Sequence, residues 1–220
     1  MKNKVVLIVV AVLVVVLIGV LVWFNYDKSF EGFDPEILVI NSERVMSESD
    51  LVEYAEVKSL LNENPNDYGA LLNLAILKQR MVDYDGAIAI YEDLRERKED
   101  DIIPLQNLGS IYYDTKQYEK AEEMQLTILN EITYKWINSY RELMSIYRYH
   151  LKDRRESVKP LLEFAYENYP EAEDELSSML AQYYDLFALD NAEALKYYEI
   201  FLGFHPEDAA VQKRVKELKN

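Results

Sequence analysis

Side chains able to do chemistry are plentiful in this chain and badly spaced for it. Its two histidines, His150 and His205, lie far apart, and there is no cysteine. A zinc-type site needs ligands at short, fixed intervals, so neither histidine reads as part of one. Both read as turn or exposed helix-end residues. The absence of cysteine also excludes disulfides, thiolate metal sites and a cysteine nucleophile. Carboxylates are abundant, with 40 Asp and Glu, and cluster as Glu122 beside Glu123 and as Glu171, Glu173, Asp174 and Glu175. General acid–base work needs two groups aimed at one point, whereas neighbours on a helix diverge by about 100°. These runs therefore read as a solvated face or a helix start, where negative charge meets the positive end of the helix dipole. No Gly-rich phosphate loop, G-x-S-x-G or H-E-x-x-H stands in the sequence. The expectation is a noncatalytic protein without cofactor or metal. Tyrosine offers a different chemistry: 18 occur, with Tyr112 next to Tyr113, Tyr183 next to Tyr184, and Tyr197 next to Tyr198. On a helix one ring of each pair enters the core while its neighbour meets a groove or solvent. Tyr112, Tyr184 and Tyr198 are expected inside, and Tyr113 and Tyr183 on a binding surface.

The elements that must carry these residues are helices. Of 220 residues half are hydrophobic, while Gly and Pro number six each, a composition that suits packed helices better than a turn-rich sheet protein. The 24 basic residues leave a net charge of −16, and all 40 acidic residues follow position 26. Such a body repels nucleic acid and anionic headgroups. No nucleic-acid partner is expected; the charge serves as a solvated surface, with a basic client as the sharper reading.

Residues 5–24 form a run of 20 without a charge. As a helix it is roughly 30 Å long, the thickness of a bilayer core. Trp23, Phe24 and Tyr26 cluster at one end, and Lys2 and Lys4 hold the other. A cleavable signal peptide competes with this reading, but its apolar core is about 7–15 residues and ends in small residues, unlike Trp23, Phe24, Asn25, Tyr26 and Asp27 here. Residues 1–26 are expected to be an uncleaved signal anchor that contacts lipid through residues 5–24. The positive-inside bias puts the amino terminus in the cytoplasm and the rest outside it. Gly19 is the span's one glycine, so no G-x-x-x-G pairing motif is present. Residues 27–44, with Gly32 and Pro35, read as a spacing tether with one short extended piece at 37–40.

Beyond the tether, Leu74 and Leu108, Tyr84 and Tyr118, and Ala87 and Ala121 stand 34 positions apart. A period of about 34 residues marks a helix-turn-helix repeat, an architecture that buries its core only by stacking on its neighbours. Ser47 or Ser49 can cap a half-repeat helix within 45–64, with Leu51, Tyr54, Ala55, Lys58 and Leu61 on one stripe. Clear repeats follow over 68–101 and 102–134. In the first, Leu71, Leu74 and Ala75 precede Tyr84, Ala87, Tyr91 and Leu94; in the second, Leu105, Leu108, Gly109 and Tyr112 precede Tyr118, Ala121 and Ile128. Looser units span 137–170, with a longer turn from His150 to Arg155, and 171–206; residues 207–218 read as a capping helix. The small residues Ala75, Gly109, Ala87 and Ala121 mark where two helices approach closely.

At these positions residues 45–219 resemble the tetratricopeptide repeat (TPR) family. Leu71 and Leu105 replace a frequent Trp, and Gln125 stands where an aromatic is usual. The resemblance implies an all-α, right-handed superhelical solenoid of antiparallel helix pairs, here behind a single transmembrane helix. It also implies a groove lined by the first helices of successive units. In register these positions are Leu72, Asn73, Ile76 and Gln79, then Gln106, Asn107, Ser110 and Tyr113, then Asn138, Arg141, Ser145 and Arg148. Asn73 and Asn107 can hydrogen-bond an extended backbone. The carboxylate clamp of one subfamily is not matched, because its positions carry Leu72, Ile76, Asn107, Asn138 and Glu142; Arg141 and Arg148 instead form a basic stripe. The implied function is a membrane-tethered adaptor or scaffold binding a peptide or protein partner, similar to bacterial single-span repeat proteins in protein translocation or envelope assembly. A cytosol-facing receptor or assembly factor of the same build is the alternative, as is a homo-oligomeric scaffold.

Overall fold

A computed structural model describes residues 38–41 and 45–219. The anchor at 1–26, its orientation and most of the tether lie outside the described residues. Among the described residues no helix is long and apolar enough to cross a membrane, and the secondary structure is helical throughout.

Among the described residues ten α-helices follow one another: α1 (Glu48–Glu63), α2 (Tyr68–Arg80), α3 (Tyr84–Arg97), α4 (Ile102–Asp114), α5 (Tyr118–Thr127), α6 (Ile137–Tyr149), α7 (Lys159–Asn168), α8 (Glu173–Tyr183), α9 (Asn191–Phe204) and α10 (Ala209–Leu218). Local chemistry sets most of their starts. Ser47 caps α1 in a reciprocal box with Asp50. Asp67, Asp83, Asp101, Asp190 and Asp208 accept backbone N–H bonds at the starts of α2, α3, α4, α9 and α10. Each satisfies an N–H that the helix itself leaves without a partner. The tight turns inside the first two units use left-handed backbone at Val82 (φ 67°) and Lys116 (φ 63°), 34 positions apart.

α2 packs on α3, α4 on α5 and α8 on α9, and each second helix also lies against the first helix of the following pair. The core runs as one line through these pairs. Leu74, Ala75, Ala87, Tyr91, Leu108, Ala121, Leu143, Tyr147, Leu162, Ala165, Leu180, Ala181 and Ala194 are all buried. Gly109 shows why a small residue is needed: a Cβ there would stand 2.5 Å from Gln125 Nε2. Gln125 is buried and accepts a 2.7 Å hydrogen bond from Ser139 Oγ. Gln125 is thus a polar tie between α5 and α6.

The third pair is built differently. A 3₁₀ helix, Lys152–Val158, separates α6 from α7. It is held by Arg154, whose Nη1 donates to Glu122 Oε2, and by Arg155, whose Nε donates 3.2 Å to the Tyr147 carbonyl. Wider π turns, Ile128–Ile132 and Tyr184–Ala188, close α5 and α8.

Two expectations change at the amino-terminal end. The inward stripe of α1 is Tyr54, Val57 and Leu61, while Leu51, Ala55 and Lys58 are exposed. Part of the segment read as a spacing tether is docked: Leu38 is buried, and Tyr54 Oη donates 2.6 Å to its carbonyl. Lys78 Nζ donates to the Val39 carbonyl and pairs at 2.8 Å with Asp83, both side chains being nearly inaccessible. The Asn41 N–H donates 3.0 Å to Asp83 Oδ2. The strap thus ties Tyr54 of α1 to Lys78 and Asp83 at the turn between α2 and α3.

Candidate partner-binding groove

The candidate residues lie on the first helices of the pairs, α2, α4 and α6. On α2, Asn73 and Ile76 are exposed and Leu72 is half-buried against the core. Gln79 accepts 3.0 Å from Tyr91 Oη, so that side chain supports the pair from inside. On α4, Gln106, Asn107, Ser110 and Tyr113 line one hollow of about 420 Å³, together with Gln125 and Glu142. Asn107 Nδ2 donates 3.0 Å to the Ile103 carbonyl of its own helix. This leaves less of the amide for a ligand backbone than spacing alone suggests.

On α6, Arg141, Ser145 and Arg148 line a second cleft of about 370 Å³. Asn138 does not line it; its Oδ1 accepts 2.6 Å from Arg141 Nη1. Met144 and Tyr149 complete this wall; Glu175, Ser178, Met179 and Gln182 of α8 form the opposite one. Leu186 of the π turn and Phe201 of α9 close the end. Tyr113 Oη lies 3.5 Å from Ser145 Oγ and 3.2 Å from His150 Nε2, which ties the α4 hollow to α6.

The candidate positions from sequence stop at the third unit and so miss the α8 wall. Adding the same 34 positions to Arg141, Ser145 and Arg148 lands on Glu175, Met179 and Gln182, all of which line the cleft. Leu186 and Phe201 have no such signal, because they enter through the π turn and through the way α9 folds back.

The charges in the cleft are unequal. Arg141 Nη2 pairs with Glu175 Oε2 at 2.7 Å. Arg148 is exposed, lies over the Tyr149 ring at 5.2 Å and pairs with no carboxylate of the described residues. Met144 and Met179 are buried in the walls, and their flexible thioethers adapt to differently shaped apolar groups.

Other candidate groups have structural partners. Tyr183, expected on a binding surface, is fully buried; its hydroxyl donates to Glu156, because the fourth unit packs it against the third. Tyr112, Tyr184 and Tyr198 are buried, and Tyr113 is half-buried along the α4 hollow. Glu122, read as solvated, is buried and accepts 2.7 Å from Tyr147 Oη as well as from Arg154. His150 stacks on Tyr118, with ring centroids 3.6 Å apart. His205 Nε2 stands 3.0 Å from Asp174 Oδ2, and that hydrogen bond holds the Asp174 carboxyl below its ordinary value. No three His, Cys, Asp or Glu of the described residues come close enough to hold a metal ion. What the arrangement offers is shape, apolar surface and hydrogen-bonding groups.

No protein-family model and no curated protein sequence matches this chain. A solved structure similar to it is that of a thermophilic TPR protein from Thermus thermophilus. That protein is 19% identical, with 77% of this chain and 95% of the other covered and a TM-score of 0.47. The helix pairs and their 34-residue step stand on this chain's own residues.

Proposed function

We propose that this chain is a noncatalytic, membrane-tethered docking protein that takes a segment of a protein partner against the first-helix face. The cleft between α6, α8 and α9 carries the proposal. It combines buried apolar walls with Ser145, Ser178 and Gln182 as hydrogen-bonding groups, the combination that recognises a peptide segment. The acidic exterior disfavours nucleic acid, which leaves protein as the macromolecule to bind. The uncharged run at 5–24 would hold the array at a bilayer, and Lys2 and Lys4 would keep the amino terminus cytoplasmic.

A photo-crosslinking side chain in place of Ser178, in native membranes, should give a discrete protein adduct. The same group in place of Lys213, an exposed residue of α10, should not. Equal labelling from both positions would sink the cleft as the site. Protease added outside intact spheroplasts should degrade the region after residue 26, and full protection would reverse the orientation.

A further inference from the structure

The chain has far more acids than bases, and most arginines elsewhere find carboxylates: Arg95 pairs with Glu92, Arg97 with Asp93, Arg154 with Glu122 and Arg214 with Asp185, while Arg155 spends its guanidinium on the Tyr147 and Arg148 carbonyls. In such a sequence a guanidinium at the rim of an apolar cleft and without a carboxylate is a site left open. Arg148 is that guanidinium, and the cleft's other cation, Arg141, is matched by Glu175. Seven positions separate the two arginines on α6. That is roughly 10 Å along the helix, the reach of about three extended residues. Between them lie Met144, Met179, Leu186 and Phe201 around a volume of about 370 Å³, room for one bulky apolar side chain and its backbone.

We propose that the cleft takes an extended peptide that buries a leucine-sized side chain between Met144 and Met179 and sets an adjacent carboxylate on Arg148. This deepens the docking proposal and rests on it. The chain's overall charge of −16 argues for a basic partner at long range. At physiological salt, however, exposed charges beyond about 8 Å are largely screened, so within the cleft the unmatched Arg148 decides. Charge-assisted bonds from a planar guanidinium to a carboxylate are about twice as strong as neutral ones. The peptide is therefore selected by one apolar anchor and one acid.

The test uses the full chain in detergent micelles and fluorescein-labelled nonapeptides in a neutral Gly/Ser frame, read by fluorescence anisotropy. The peptides carry a central Leu followed by Glu, Gln or Lys, with a Ser–Glu peptide as the apolar control. The Leu–Glu peptide should bind at least tenfold more tightly than the Leu–Gln peptide. Arg148→Gln should bring Leu–Glu binding to the Leu–Gln level without changing the melting temperature, and Ser–Glu should bind at least tenfold more weakly than Leu–Glu. Equal binding of Leu–Glu and Leu–Gln, or tightest binding of Leu–Lys, would overturn the acidic preference while leaving the cleft as a docking site. Indifference to Leu against Ser would remove the docking site as well.

Discussion

The chain's tyrosines and surplus acids make sense together. With bases in short supply, carboxylates take hydrogen bonds from phenols: Tyr147 to the buried Glu122 at 2.7 Å, Tyr198 to the buried Asp185 at 3.1 Å, and Tyr184 and Tyr68 to the half-buried Glu163 and Asp101 at 2.9 and 2.8 Å. Burial, above all, raises these hydroxyls well beyond the usual phenol range, so they remain neutral donors at ordinary pH. Tyr147→Phe leaves the buried Glu122 with one donor fewer and should destabilise by about 1–2 kcal/mol in urea titration. An unchanged midpoint would mean that Arg154 alone satisfies Glu122. At the tight turn of the first unit, Val82 is about half exposed yet held at φ 67°. A β-branched residue is strained there, so Val82→Gly should stabilise by about 0.5–1 kcal/mol despite glycine's greater freedom when unfolded. The same denaturation midpoint reports the sign.

Helices in this protein depend on what closes them off. α1 leans on the strap at residues 38–41, and the Lys78–Asp83 pair receives two backbone groups of that strap. A Cβ on Gly86 would come within 2.7 Å of Lys78 Nζ and 2.8 Å of Asp83 Oδ2, so this glycine leaves room for the latch. Leu38→Asp puts a charge at a buried site. It should accelerate amide exchange in α1 and α2 by at least tenfold while leaving α8 and α9 unchanged; uniform exchange along the array would show that the strap caps nothing. At the other end α10 is held by Arg214, whose Nη2 and Nε lie 2.6 and 2.9 Å from the two Asp185 oxygens. That guanidinium holds the Asp185 carboxyl below its ordinary value. The carboxyl is thus more acidic folded than unfolded, and its contribution is complete above an unfolded value of about 4 and lost as the pH falls through the folded value. Acidification from pH 6 to pH 3 should therefore loosen α10, as read by exchange of its amides. Arg214→Ala should loosen it already at neutral pH by about 1–2 kcal/mol, less than for a fully buried pair because the guanidinium is 40% exposed. An α10 insensitive to both changes would place its attachment in Val211, Val215 and Leu218 alone.

At the scale of the whole molecule, an excess of like charge is spread along an extended stack in which each pair touches mainly its neighbours. Self-repulsion should dominate the salt response: raising NaCl from about 20 to 300 mM should raise the melting temperature of the full chain in a nonionic detergent, since screening weakens long-range repulsion more than contact pairs. A fall would show that the surface ion pairs outweigh the repulsion. The helix pairs were legible in the residue order because their contacts repeat at a short, constant separation, so small residues at 75, 87, 109 and 121 announce them. The α8 wall of the cleft, one period beyond Arg141, Ser145 and Arg148, was missed because the groove positions were carried only through the third unit. The burial of Lys78, Glu122 and Tyr183 was not legible, because each depends on a group brought in from another unit or from the strap. The sequence by itself determined the helical period, the caps and the acidic surface, all consequences of neighbours along the chain. Only the tertiary structure decided that Arg141 is matched by Glu175 and Arg148 by no carboxylate of the described residues, because pairing is settled by which side chains the stacking of units brings within reach.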